Sequence, residues 1–262
     1  VVVGILAGLS AVLFSLGIDL VHDQLLGTGV SRWHRFLIPA GMSVVTGILL
    51  SRFFDDARGS GVPQTKVAYH LHDGVIRPRT SIGKFITGML CIGSGHSMGR
   101  EGPSVQIGAG LASWVGQWLR LSPQQVRNLV PIGASAALAA AFNTPIAAVL
   151  FSLEEIIADM NAPLLGSTVV ASVASVMAER SILGNEPLFH VPGYRLVNPS
   201  ELVVYAILGA LGGLLSVAFC KGLLGLRSVF RRMPRGTKMW QPAMGGVAVG
   251  LILAFYPQVA GV

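Results

Sequence analysis

Apolar stretches of two length classes constrain this chain more than any other feature. Residues 1–20, 36–54, 163–183 and 201–226 are long and poor in charge, with 240–256 a further candidate. A helix needs about 20 apolar residues to cross a bilayer at about 1.5 Å per residue. Between them, 82–98, 102–119, 128–142 and 145–157 are shorter, glycine-rich and interrupted by Pro103, Pro131 and Pro145. A helix that stops inside a bilayer leaves backbone groups unpaired, which is tolerated only where they are buried in protein or line a polar cavity. The middle third is therefore where a binding site is expected. Composition agrees, since 12% of residues are charged, about half the roughly 25% of a soluble domain. At 52% hydrophobic the chain is also too apolar for disorder. The expected class is all-α integral membrane, multi-pass, with broken re-entrant helices.

Nineteen Lys and Arg against twelve Asp and Glu give a net charge of +7. The basic residues fall between apolar stretches and form no basic face with interleaved aromatics, so nucleic acid is not an expected partner and the lipid bilayer is. Arg52, Arg58, Lys66, Arg77, Arg79 and Lys84 lie in 51–84, and Lys221, Arg227, Arg231, Arg232, Arg235 and Lys238 in 221–238. Arg120 and Arg127 flank another turn. Placing these loops on the cytoplasmic side puts the 20–35 and 184–200 loops outside. The membrane would be the plasma or inner membrane in a bacterium. The two cysteines, Cys91 and Cys220, lie in apolar runs and suggest neither a disulfide scaffold nor a metal site.

The chain opens at Val1 inside an apolar run, with no basic n-region or small-residue cleavage site. That start reads as a cut inside or just before the first membrane helix. An internal repeat organises the rest. VVGILAGLSAVLF (2–14) and ILGALGGLLSVAF (207–219) agree at Gly4/Gly209, Leu6/Leu211, Gly8/Gly213, Leu9/Leu214, Val12/Val217 and Phe14/Phe219. Pro39/Pro242, Ala40/Ala243, Val44/Val247 and Gly47/Gly250 also match. Chance similarity between apolar helices competes with this reading. The paired GxxxG faces, which suit close helix packing, argue against chance. The expected division is a first repeat over 1–200 and the start of an incomplete second repeat over 201–262, within a transport domain of roughly 400 residues.

Three motifs carry chemistry: Gly59-Ser60-Gly61-Val62-Pro63, Gly99-Arg100-Glu101-Gly102-Pro103, and FNTPIAAVLFSLEE, which ends in Glu154-Glu155. The first two are glycine-rich turns that end in proline and open an apolar helix. Proline suits the first helical turn, where its missing N–H is no loss. The helix start presents unpaired N–H donors and a partial positive charge, and glycine lets an ion approach the backbone. Two such starts facing one spot make an anion site without a buried cation. Ser60 adds a hydroxyl donor. Ordinary helix capping is the plainer alternative for either motif alone.

Glu101 sits beside the donors of the second helix start. Those donors can hold its carboxylate or an incoming anion, so the side chain reads as a gate that couples a proton to an anion. The alternative is a glutamate that only complements its helix dipole. Glu154 and Glu155 are neighbours and cannot share a helix face. Either one points inward and passes protons, or both end a solvated helix. His96 has no partner ligands at helical spacing and reads as a packing or loop histidine. His70 and His72 suit no helical metal face. Trp114 and Trp118 mark core packing or a membrane interface. No GxxxxGK[ST] loop occurs, and no cofactor, metal or catalytic triad is implied.

At these residues the sequence resembles the CLC family of chloride channels and proton-coupled chloride transporters. GSGVP at 59–63, GREGPSVQIGAG at 99–110 and AAAFNTPIAAVLFSLEE at 139–155 carry the resemblance. It implies an inverted-repeat fold, a homodimer, and chloride and protons as the transported species. It also implies roles. Ser60 is the inner-side chloride ligand, within a site formed by Gly59, Gly61, Val62, Pro63, Gly99, Arg100, Gly102 and Pro103. Glu101 is the external gating glutamate, and Glu155 the internal proton-transfer glutamate. An acidic residue at 155 favours H⁺/Cl⁻ antiport over a passive gated channel. The family's GxFxP motif and its chloride-contacting tyrosine are not found, so a non-transporting membrane fragment is the reading of another class. An enzyme is not expected, because no Ser/His/Asp or metal constellation converges in the sequence.

Overall fold

The computed structural model describes residues 1–27, 29–159, 163–184, 198–234, 237 and 240–260. Among them every regular element is helical. The order is α1 (Val2–Leu26), α2 (Arg32–Arg52), a 3₁₀ turn (Asp55–Ala57), α3 (Val62–Leu71), α4 (Pro78–Gly93), α5 (Glu101–Trp118), α6 (Pro123–Phe142), α7 (Pro145–Phe151), a π-helical turn (Ser152–Ile157), α8 (Leu165–Leu183), α9 (Glu201–Arg232), α10 (Gln241–Phe255) and a 3₁₀ turn (Pro257–Val259). The chain is an integral membrane protein. By length and composition α1, α2 and α9 suffice to cross a bilayer, while α3, α4 and α7 are shorter.

Prolines and short polar caps set the starts. Pro78, Pro123 and Pro145 each open a helix, at the position where a missing N–H removes no intrahelical bond. Ser122 and Gln125 cap α6 reciprocally, the Ser122 N–H donating to Gln125 Oε1 at 3.0 Å. Pro131 does not break α6 as the sequence suggested. The helix runs through it, with Pro131 buried and its carbonyl accepting from the Ser152 hydroxyl at 2.9 Å.

Helix α6 is the centre of the molecule. Residues 130–141 are buried on every side, and eight of the twelve are Gly, Ala or Ser. Small side chains let helices approach to backbone contact. Gly108 of α5 and Gly133 of α6 face each other so closely that a Cβ on either meets the other's carbonyl. On the opposite flank α1 lies on α6 and α8, and Gly4 and Gly8 press on Ala171 and Ser175. Several serines buried here are paired: Ser135 with Ser172 at 2.7 Å, and the Ser175 hydroxyl to the Ala136 carbonyl at 2.5 Å, as a dry interior favours.

Two further bodies flank this core. Helices α2 and α10 pack on each other, with Gly246 against Ser43 and Gly250 against the Phe36 carbonyl. They reach the core mainly through α4. Helix α9 stands apart, with none of its residues buried. It also runs further than expected, to Arg232. Lys221, Arg227, Arg231 and Arg232 are therefore helical and not in a loop, at the end of a helix about 48 Å long against a hydrocarbon core of about 30 Å. Helix α4 likewise takes in Lys84, which the charge pattern had assigned to a loop. Residues 185–197 of the expected outer loop, with Arg235 and Lys238, lie outside the described residues.

The two GxxxG faces of the sequence repeat thus differ. Gly4 and Gly8 are packed, whereas a Cβ on Gly209 or Gly213 would meet nothing within 4 Å beyond its own helix among the described residues. Gly8→Val, whose Cβ would lie 2.6 Å from Ser175 Oγ, is expected to destabilise the chain by about 1–3 kcal/mol. Gly213→Val should stay within about 0.5 kcal/mol, apart from its helix propensity. Thermal unfolding of both variants in detergent checks the contrast, and equal losses would refute it.

Candidate functional site

The two glycine turns meet. Gly59 and Gly61 have φ of +97° and +121°, a region open to glycine and strained for other residues. A Cβ at Gly61 would strike the Gly102 carbonyl, and one at Gly102 the Ser60 carbonyl. The backbones of 59–61 and 101–103 are therefore in direct contact. This brings the starts of α3 and α5 together, each with first-turn N–H groups that have no intrahelical partner. The Gly61 N–H itself donates to Gln64 Oε1 at 2.9 Å.

Beside this junction lies a cavity of about 660 Å³, walled by α2, α4, α10 and the two turns. Gly59, Ser60, Gly99, Glu101, Gly102 and Pro103 line it. Ser60 and Glu101 are both exposed there, and Glu101 makes no ion pair among the described residues. The Glu101 carboxylate folds back into the space a Gly99 side chain would fill. A helix-start dipole, a hydroxyl and a carboxylate thus share one cavity, which suits an anion in competition with Glu101.

The other expected site residues stand off the cavity. Pro63 lines a separate pocket with Gln64 and Gln106. Gly61 and Val62 form the junction behind the wall. Arg100 turns to α1, its Nη1 donating to Ser15 Oγ at 3.4 Å. Glu155 is elsewhere too, on the π turn, with Oε1 3.4 Å from Lys66 Nζ. On the next turn of α3, His70 Nε2 donates to the Ile156 carbonyl at 3.0 Å. Helix α3 thus connects the two sites, carrying the Ser60 turn at its start and holding the Glu155 segment along its side. Trp114 and Trp118 are exposed, which removes the core-packing alternative.

Sequence reasoning missed Lys84. It is buried on α4, lines the cavity, and donates from Nζ to the carbonyls of Ala57, at 3.1 Å, and Gly59. The cavity at these helix starts thus holds a buried lysine, where the sequence reading expected no buried cation. The signal was present, since a lysine inside an apolar stretch marks function by default. Arg58 adds a second cation on the same wall. Its Nε lies 2.8 Å from Asp55 Oδ1, a charge contact without hydrogen-bond geometry. No group of three His, Cys, Asp or Glu residues among those described could hold a metal.

The family profile described as voltage gated chloride channel matches residues 41–262. The H(+)/Cl(-) exchange transporter ClcA of Vibrio cholerae is 31% identical over 99% of this chain and 58% of its own length. The chloride channel protein CLC-e of Arabidopsis thaliana is 31% identical over 98% of this chain and 39% of its own. Among solved structures, a slow cyanobacterial Cl-/H+ antiporter superposes with a TM-score of 0.83 at 27% identity, covering 98% of this chain and 62% of that one. The chain thus spans less than two thirds of the length of these relatives.

Replacing Lys84 by methionine keeps most of its volume but frees two carbonyls. Lys84→Met is expected to cost about 1–3 kcal/mol of stability and to weaken anion binding about tenfold, since the cavity loses a buried charge. Thermal unfolding and chloride titration calorimetry read the two effects. Wild-type values in both would remove Lys84 from the site.

Proposed function

Because the chain belongs to the voltage gated chloride channel family, we propose that it carries chloride through the cavity at the α3–α5 junction in exchange for protons. The observation that carries this reading is the convergence of the Glu101 carboxylate, the Ser60 turn and buried Lys84 on one cavity at two helix starts. Ser60 and the turn backbones take the dehydrated anion, while Lys84 supplies positive potential and holds the 57–59 backbone in place. Glu101 occupies the anion's place when ionised and leaves it when protonated, so its carboxylate and the anion compete for the same donors. Glu155, tethered to α3 by Lys66 and His70, delivers protons from the other side. The names of the relatives, exchange transporter and antiporter, support coupled transport and not catalysis. A homodimer would use the apolar stripe of Ile146 and Leu150 on α7 with Val169, Val173 and Met177 on α8, all exposed in the single chain.

A passive gated chloride channel is the second reading. It is favoured by the position of Glu155, which is exposed, ion-paired and outside the cavity. Recording external pH and chloride together in liposomes under a chloride gradient separates the two. Uphill proton movement in the wild type, lost in Glu101→Gln and in Glu155→Gln with chloride flux retained, is the expected outcome. Chloride flux with no proton movement in any of the three establishes the channel. For the anion ligand, Ser60→Pro is expected to shift preference from chloride to nitrate, as the family resemblance implies. An unaltered chloride-to-nitrate flux ratio would remove Ser60 from selectivity.

A further inference from the structure

The connection from α4 to α5, residues 94–100, carries the gating carboxylate at its end. It starts buried and ends open: Ser94, Gly95 and His96 are buried, whereas Ser97, Met98 and Gly99 are exposed and line the cavity. His96 is 6% exposed and bonded at both ring nitrogens. Nδ1 lies 2.9 Å from the Cys91 carbonyl, which only accepts, so Nδ1 carries the hydrogen. Nε2 then accepts from the Ser43 hydroxyl at 2.7 Å. Ser43 belongs to α2, is itself buried, and is closed over by Gly246 of α10, where any Cβ would collide with its Oγ.

We propose that His96 is the positioning residue of the gate, a clamp that ties the α4–α5 connection to α2 and so sets where the Glu101 carboxylate sits. The far end of the connection is fixed by Arg100 on Ser15. Between the two anchors lie three exposed residues, and the carboxylate rests over the third, Gly99. The Met98 N–H bonds back to the His96 carbonyl at 2.8 Å, so a displaced His96 shifts the whole bridge. Both ring nitrogens are engaged in holding the connection. His96 acts through Glu101 and not on the ion. The part about the gate rests on the transport reading above, while the clamp itself does not.

The test uses three variants and two readouts. His96→Asn keeps a donor for the Cys91 carbonyl but is too short to reach Ser43. Ser43→Ala removes the tie from the other side. His96→Gln places an acceptor near the Nε2 position and is expected to restore it. The first readout is the mobility of a spin label at Met98→Cys, with Cys91 and Cys220 replaced by alanine. The second is the chloride-to-proton flux ratio of the unlabelled proteins in liposomes. His96→Asn and Ser43→Ala should sharpen the spin-label line and raise the ratio about fivefold, the population shift expected from losing one buried hydrogen bond. His96→Gln should stay near wild type in both. Wild-type mobility in His96→Asn overturns the clamp. A sharpened line with an unchanged ratio overturns its link to the gate. If the wild type carries no protons while the line still sharpens in His96→Asn and recovers in His96→Gln, the transport reading fails and the clamp stands.

Discussion

The site depends on two backbones touching. Only glycine permits the Gly61–Gly102 approach, because a Cβ on either residue would overlap the other turn. That contact places two helix starts side by side, and the charge arrangement follows from it. Unpaired N–H groups at both starts favour an anion. Lys84 satisfies the carbonyls of the turn that glycine has bent, so the same cation shapes the loop and raises the potential of the cavity. Glu101 can then stand where an anion would, because the groups around it already favour negative charge.

What was legible in the sequence was local. Gly-Ser-Gly-Val-Pro and Gly-Arg-Glu-Gly-Pro announce helix starts because glycine and proline have conformational meaning at single positions. The shared cavity of Ser60 and Glu101 could be foreseen from two such starts between interrupted apolar stretches. What was not legible depends on partners distant in sequence. The apolar stretch around Lys84 marks the residue but not its contacts with Ala57 and Gly59, and His96 reads as a packing or loop histidine until Ser43, 53 residues earlier, is found beside it. Pro131 misled for a related reason. Fixing φ and removing one N–H weakens a helix, but α6 is enclosed by its neighbours and runs through the proline.

The repeat shows how far a packing pattern can be read. The GxxxG faces of α1 and α9 are alike in sequence, yet one is filled by α8 and the other faces nothing within the described residues. Small residues state that a helix can be approached closely, not by what. The second matched pair is different, since α2 and α10 pack on each other with glycines of α10 against α2. The cavity has this pair as one wall, and the second matched segment contributes Pro242, Gly245, Gly246 and Val249 to its lining.

The π turn over Ser152–Ile157 has a consequence for chain length. A π turn holds one residue more than an α turn, and that extra residue decides which of two adjacent carboxylates, Glu154 or Glu155, lies opposite Lys66. Deleting a single residue between Phe151 and Glu155 would let the turn tighten and rotate Glu155 by about 100° about the helix axis. Lys66 would then lose Glu155 as its partner. Along this segment the number of residues, more than their chemistry, selects the partner.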